Sequence, residues 1–279
     1  MGFDYFAKTQ CPIQAPRDNT EFVQRAKVGA YAGQIGYTLS RQQGPEREAM
    51  LSKTMTLPFP VKTLMGASAE LTFAELVETW QRIERKSKPI CEKCPVNVKG
   101  EALGCWGAIS YPISQACEHW IIDHFNPPEP GPSYLLHHIR EAGITGERLD
   151  NGRAELNVHE DGGYIPVLLP PGPAEKIVEG ERITSSMILE YLIGCQPYLI
   201  NQTLLGLLTE FNAVDLDPVS RMLMFGGMFT GGQGAEELKN LRFMLTDSPE
   251  DDRSIAQFKR FLKTCHAALV NKRKLSVDG

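Results

Sequence analysis

The 279-residue chain lacks any uninterrupted apolar run of bilayer length. Its most apolar stretch, residues 187–208, is broken by Glu190, Gln196, Pro197, Asn201 and Gln202. A membrane helix needs about 20 mostly apolar residues, so this stretch predicts buried helices and no membrane association. The opening Met1-Gly2-Phe3-Asp4-Tyr5-Phe6 has an acid early and no basic segment ahead of an apolar core, which predicts no secretory leader. The expected location is therefore the cytoplasm. Cysteine is scarce and odd in number, at seven, too few for a disulfide scaffold. In a reducing compartment, paired cysteines hold metal more often than they form disulfides.

No excess of positive charge is present either. Lys and Arg number 29 against 34 Asp and Glu, a net charge of -5, which excludes whole-surface binding to nucleic acid. The enzyme motifs G-x-S-x-G and H-E-x-x-H are missing, as is a complete P-loop. The glycine-rich run from Gly226 to Gly234 has Gln233 and Gly234 where a P-loop needs Lys and Ser or Thr, so it reads as a hinge. His137, His138 and His159 read as surface groups, and Cys195 and Cys265 as core.

What remains is an ordinary globular composition, with 42% apolar and 23% charged residues. Two proline–glycine segments, Asn126 to Pro132 and Pro170 to Pro173, fix φ and remove amide donors, so both predict loops. The second separates two textures and places a domain boundary between residues 1–173 and 174–279. Residues 1–7 suit a first strand and 19–41 a helix. Thr72 followed by Glu75 forms a capping-box pattern ahead of a helix over 73–86. Ser114 caps a helix to Phe125, and Ser133 to Ala142 predicts a short one. Residues 154–169, with Asp161-Gly162-Gly163, predict a hairpin. Ser248 followed by Pro249, with Ile255, Phe258, Leu262, Cys265 and Leu269 on one face, predicts the last helix. The fold class expected is α+β, mainly α, with a small metal-stapled N-terminal region and a helical C-terminal half.

The chemistry in the sequence is concentrated in Cys91-Glu92-Lys93-Cys94-Pro95 and Cys105, a C-x2-C-x10-C pattern. A C-x2-C knuckle bends both thiolates toward one centre, and a third cysteine adds a third soft ligand. A closed zinc site needs four. Cys117, which extends the pattern by x11-C at the start of a predicted helix, is the simplest fourth ligand; His119 and the distant Cys11 are the others. Zinc is the expected metal. An iron–sulfur cluster also uses four cysteines and often Cys-Pro, as at Cys94-Pro95 and Cys11-Pro12.

Arg82, Arg85, Lys86, Lys88, Lys93 and Lys99 gather six positive charges beside this knuckle against two acids, Glu84 and Glu92. With Trp106, Tyr111 and Trp120 nearby they could meet phosphates and stack bases, or simply complement the acidic remainder of the chain. His119 and Asp123, four apart, share a helical face, but no catalytic constellation accompanies them. The function expected is that of a zinc-stabilised interaction or adaptor protein with a protein partner. An iron–sulfur protein with a redox or regulatory role and a metal-dependent hydrolase with an open zinc position are the alternatives.

Overall fold

A computed structural model describes residues 2–14, 19–41, 59–62, 68–110, 113–125, 154–158, 164–168, 181–182, 198–217, 220, 238 and 240–278. The architecture is α+β with helix predominating. The chain divides into two compact units, Met1–Ala7 with Gly107–Gly279, and Lys8–Trp106. This division lies elsewhere than the one read at residue 173, and Pro170 to Pro173 are outside the described residues. Its physical basis is long-range pairing. Strand β1 (Gly2–Ala7) runs antiparallel to a C-terminal strand, Leu275–Asp278, with Asp4 opposite Asp278 and Ala7 opposite Leu275.

In the larger unit this sheet has the order β4-β1-β9-β8, where β4 is Trp106–Ser110, β8 Tyr198–Leu199 and β9 Leu275–Asp278. Phe3, Tyr5 and Phe6 of β1 are all buried, as a strand covered on both faces requires. Gly107 of β4 is a glycine because a Cβ there would overlap the Tyr5 ring. Helices α3 (Gln115–His124) and α4 (Asn201–Glu210) pack on α5 (Arg253–Val270). An aromatic core joins them, with Phe211 edge-on to Phe258 at 5.2 Å and Tyr5 edge-on to Phe261 at 5.1 Å. Strands β5 (Ala154–Val158) and β6 (Tyr164–Leu168) form the expected antiparallel pair, joined on β5 by β7 (Glu181–Arg182). Their turn, residues 159–163, is outside the described residues.

The last helix starts later than its sequence suggests. Asp252, not Ser248, caps it, its Oδ1 accepting the Ile255 amide at 2.9 Å. Ser248 instead opens a turn, with its carbonyl accepting from the Asp251 amide at 3.0 Å and its own amide donating to Asp251 Oδ2 at 2.8 Å.

The Lys8–Trp106 unit is built on α1 (Asn19–Ser40) packed against α2 (Phe73–Cys91), with a hairpin of β2 (Phe59–Lys62) and β3 (Ser68–Leu71). Val28, Ala32 and Leu76 form its core, flanked by Ile35, Val77, Trp80 and Ile83. Thr72 and Glu75 make the capping box as expected, each accepting the other's amide, at 3.3 and 2.8 Å. Helix α2 then runs past Lys86 and through Pro89 to deliver Cys91 at its final position. Among the described residues no helix is long and apolar enough to cross a membrane. The short helix expected over Ser133 to Ala142, the 226–234 glycine run, His137, His138, His159 and Cys195 fall outside the described residues.

Candidate functional site

The end of α2 and the loop that follows form one hydrogen-bonded knuckle. The Cys94 amide donates to the Cys91 carbonyl at 3.1 Å, closing the first turn. Asn97 then fastens the loop. Its Nδ2 donates to the carbonyls of Cys91 at 2.8 Å and Glu101 at 2.9 Å, while its Oδ1 accepts the Gly100 amide at 3.0 Å. Gly100 has φ +69°, a conformation open to glycine at no steric cost. A Cβ on Gly104 would strike Asn97 Oδ1, so this second glycine makes room for the amide that holds the loop. Leu103, at φ 58°, turns its amide onto Cys91 Sγ at 3.2 Å. An amide aimed at sulfur favours the thiolate over the thiol.

A second segment of the same unit meets this knuckle. The Gln14 amide donates to the Cys11 carbonyl at 3.1 Å, closing a turn over Pro12 and Ile13. The Gln14 side chain accepts the Thr9 amide at 2.8 Å and points its Nε2 at Cys105 Sγ, 3.9 Å away.

The electrostatics of the thiols map the cluster. Burial pushes the Cys105 thiol up to about 12, the charges of Cys94, Cys91 and Cys11 push in the same direction, and the Gln14 side chain opposes them. Burial likewise raises Cys91, with Cys11 and Cys94 adding to it and the Leu103 amide opposing. Cys11 and Cys94 therefore act on both Cys91 and Cys105, and all four are inside the Lys8–Trp106 unit. Near neutral pH Cys105 is a neutral thiol, and a metal ion would have to displace its proton. Among the described residues, no three His, Cys, Asp or Glu side chains stand as a ready-made metal site.

Cys117 belongs to the other unit, buried in the first turn of α3, where its amide donates to Ser114 Oγ at 3.1 Å. Burial first, then the charges of Asp252 and Glu118, raise its thiol to about 12. His119 and Asp123 lie on the same helix, His119 half-buried and Asp123 exposed.

The basic residues divide. Arg82, Arg85, Lys86, Lys88 and Lys93 are exposed. Lys99 is half-buried, its Nζ 5.1 Å from the centre of the Trp106 ring and 3.6 Å from Glu101. Of the three aromatic residues read beside them, the structure describes two. Trp106 is buried, Tyr111 is outside the described residues, and Trp120 stacks between His124 and Phe211 in the other unit.

Gln14, Asn97 and the Leu103 amide are the residues the C-x2-C spacing did not reveal. For Gln14 and Asn97 the sequence signal is adjacency: each stands three residues after the cysteine of a Cys-Pro pair. The chain matches no known family model, no curated protein and no solved structure.

Proposed function

We propose that the Lys8–Trp106 unit is a metal-stapled module in which Cys91, Cys94 and Cys105 bind zinc, and that the protein works as an interaction or adaptor component. The observation that supports this reading is the Leu103 amide donated to Cys91 Sγ, in a knuckle where the thiols share one field. Soft thiolate donors select zinc or iron–sulfur clusters over hard cations. The ion supplies stability: apparent zinc binding of roughly 10–16 kcal/mol matches or exceeds the net stability of a whole domain, about 5–15 kcal/mol. The exposed run Arg82, Arg85, Lys86, Lys88 and Lys93 is the surface this module offers, and it suits an acidic face of a partner protein.

Elemental analysis of protein purified without chelator tests the reading. About one zinc per chain is expected, with Cys94→Ser losing it. Zinc- and iron-free protein overturns the reading. Iron with acid-labile sulfide and visible absorption supports the iron–sulfur alternative, which the Cys11-Pro12 and Cys94-Pro95 pairs favour. Binding to single-stranded nucleic acid that weakens steeply with salt would move the basic surface to a different partner class.

A further inference from the structure

We infer that Cys11 is the fourth ligand, so that Cys11, Cys91, Cys94 and Cys105 close a four-thiolate zinc site with no open coordination position. This rests on the metal reading above and adds what kind of site it is.

Two turns of the same construction carry the inference. Cys94-Pro95-Val96-Asn97 and Cys11-Pro12-Ile13-Gln14 share the order cysteine, proline, branched apolar residue, carboxamide. In each, the amide of the fourth residue donates to the cysteine carbonyl, at 3.1 Å in both. Proline in the second position sets φ for such a turn and carries no amide of its own. In each, the carboxamide side chain then reaches across to another cysteine of the set: Asn97 to the Cys91 carbonyl at 2.8 Å, Gln14 toward Cys105 Sγ at 3.9 Å. The four cysteines thus fall into two linked pairs. Cys94 is tied to Cys91 through Asn97, and Cys11 to Cys105 through Gln14. Both turns lie in the Lys8–Trp106 unit, as do all four sulfurs. Cys11 is half-buried, Cys91 and Cys105 buried.

Cys117 has different company. It belongs to the other unit, buried in the first turn of α3 with its amide on Ser114 Oγ.

Closing the site exchanges bonds one for one. Each of four S–H bonds breaks as a zinc–sulfur bond forms, and four protons pass to the solvent. Zinc–sulfur bonds of about 2.3 Å require the thiols to draw closer than they stand. The product is a doubly negative centre. With four sulfurs on the ion, no position is left to activate water, so the site holds the fold together and does not hydrolyse.

Cobalt replaces zinc for the test. Full-length protein is stripped of metal, titrated with Co2+ anaerobically, and followed by its thiolate-to-cobalt absorption. The wild type is expected to take one ion with a four-thiolate spectrum. Cys11→Ser should still bind, at least tenfold more weakly, with absorption reduced by about a quarter; Cys117→Ser should match the wild type. An unchanged Cys11→Ser spectrum, with the loss appearing instead in Cys117→Ser or His119→Ala, overturns the inference and leaves the metal reading standing. A wild type that takes neither cobalt nor zinc overturns both. Should Cys11→Ser fail to fold, alkylation of the zinc-loaded wild type decides. Cys11 protected from iodoacetamide until chelator is added supports the assignment, and Cys11 alkylated while Cys91 and Cys94 are protected refutes it.

Discussion

Lys259 shows how one residue can change meaning between sequence and structure. In the sequence it begins a run of six basic residues through Lys274 with no acid among them. In the fold it is 8% exposed, its ammonium donating to both Asp251 oxygens at 2.8 and 2.7 Å and to the Thr246 carbonyl at 3.0 Å. Asp251 is the counter-charge. Burial pushes the Asp251 carboxyl up, but the hydrogen bond from Lys259, the Ser248 amide and the ammonium's charge together outweigh it and hold the group below its ordinary value. Lys259→Met leaves that carboxylate with the Ser248 amide alone. A loss of about 3 kcal/mol is expected, the low end for breaking a buried pair, measured by urea unfolding. The depressed carboxyl fixes the sign with pH. Its stabilisation is intact above the unfolded value of about 3.9 and disappears as pH falls through the folded one. Acid titration of stability should show this loss in the wild type and a smaller one in Lys259→Met. Asn97 offers a second case at this scale. Asn97→Ala strands the Cys91 and Glu101 carbonyls and the Gly100 amide, and should cost about 1–3 kcal/mol. Hydrogen exchange should localise the loss to the knuckle.

Among the elements, α1 forms where the sequence suits a helix, in spite of three glycines. Gly29, Gly33 and Gly36 each weaken a helix by roughly 0.5–1 kcal/mol relative to alanine. The packing separates them. A Cβ at Gly29 would lie 2.5 Å from the Trp80 ring, whereas one at Gly33 or Gly36 would meet nothing within 4 Å. Gly29→Ala should therefore destabilise by about 1–3 kcal/mol through overpacking, and Gly33→Ala should stabilise by about 0.5–1 kcal/mol through helix propensity. Thermal melts of the two variants should move in opposite directions. Elements governed by local chemistry were legible. The Thr72–Glu75 box, the Ser114 cap and the β5–β6 pair need only residues a few places apart. The Ser248 cap was misread because Asp252 offers an equally good acceptor four residues later. The continuation of α2 to Cys91 was hidden by Pro89, which has no amide for the helix ladder and disfavours helix at the residue before it.

For the whole molecule, legibility ended where distant segments meet. The C-x2-C-x10-C spacing singled out Cys91, Cys94 and Cys105, but Gln14 and Cys105 are 91 residues apart and no spacing rule connects them. The pairing of β1 with β9 is longer still, and it is what sets the boundary between the units. That boundary allows the units to be followed separately. Trp80 and Trp106 belong to the Lys8–Trp106 unit and Trp120 to the other. In Trp120→Phe, tryptophan fluorescence reports the first unit alone. If the ion is structural, chelator should lower the melting temperature of that signal by several degrees and leave the tyrosine- and phenylalanine-rich unit near its original transition, read by near-ultraviolet dichroism. A chelator-insensitive fluorescence melt would deny the ion its structural role.

The Lys8–Trp106 unit departs from the chain after Ala7 and rejoins it at β4, and β4 and β1 are hydrogen-bonded neighbours in one sheet. Such wiring makes the smaller unit a guest grafted into a host. Recombination could remove or exchange it as a cassette, with the host strands still laced to β9. A shortened gene in which a brief connector replaces residues 8–105 should accordingly yield a host that folds.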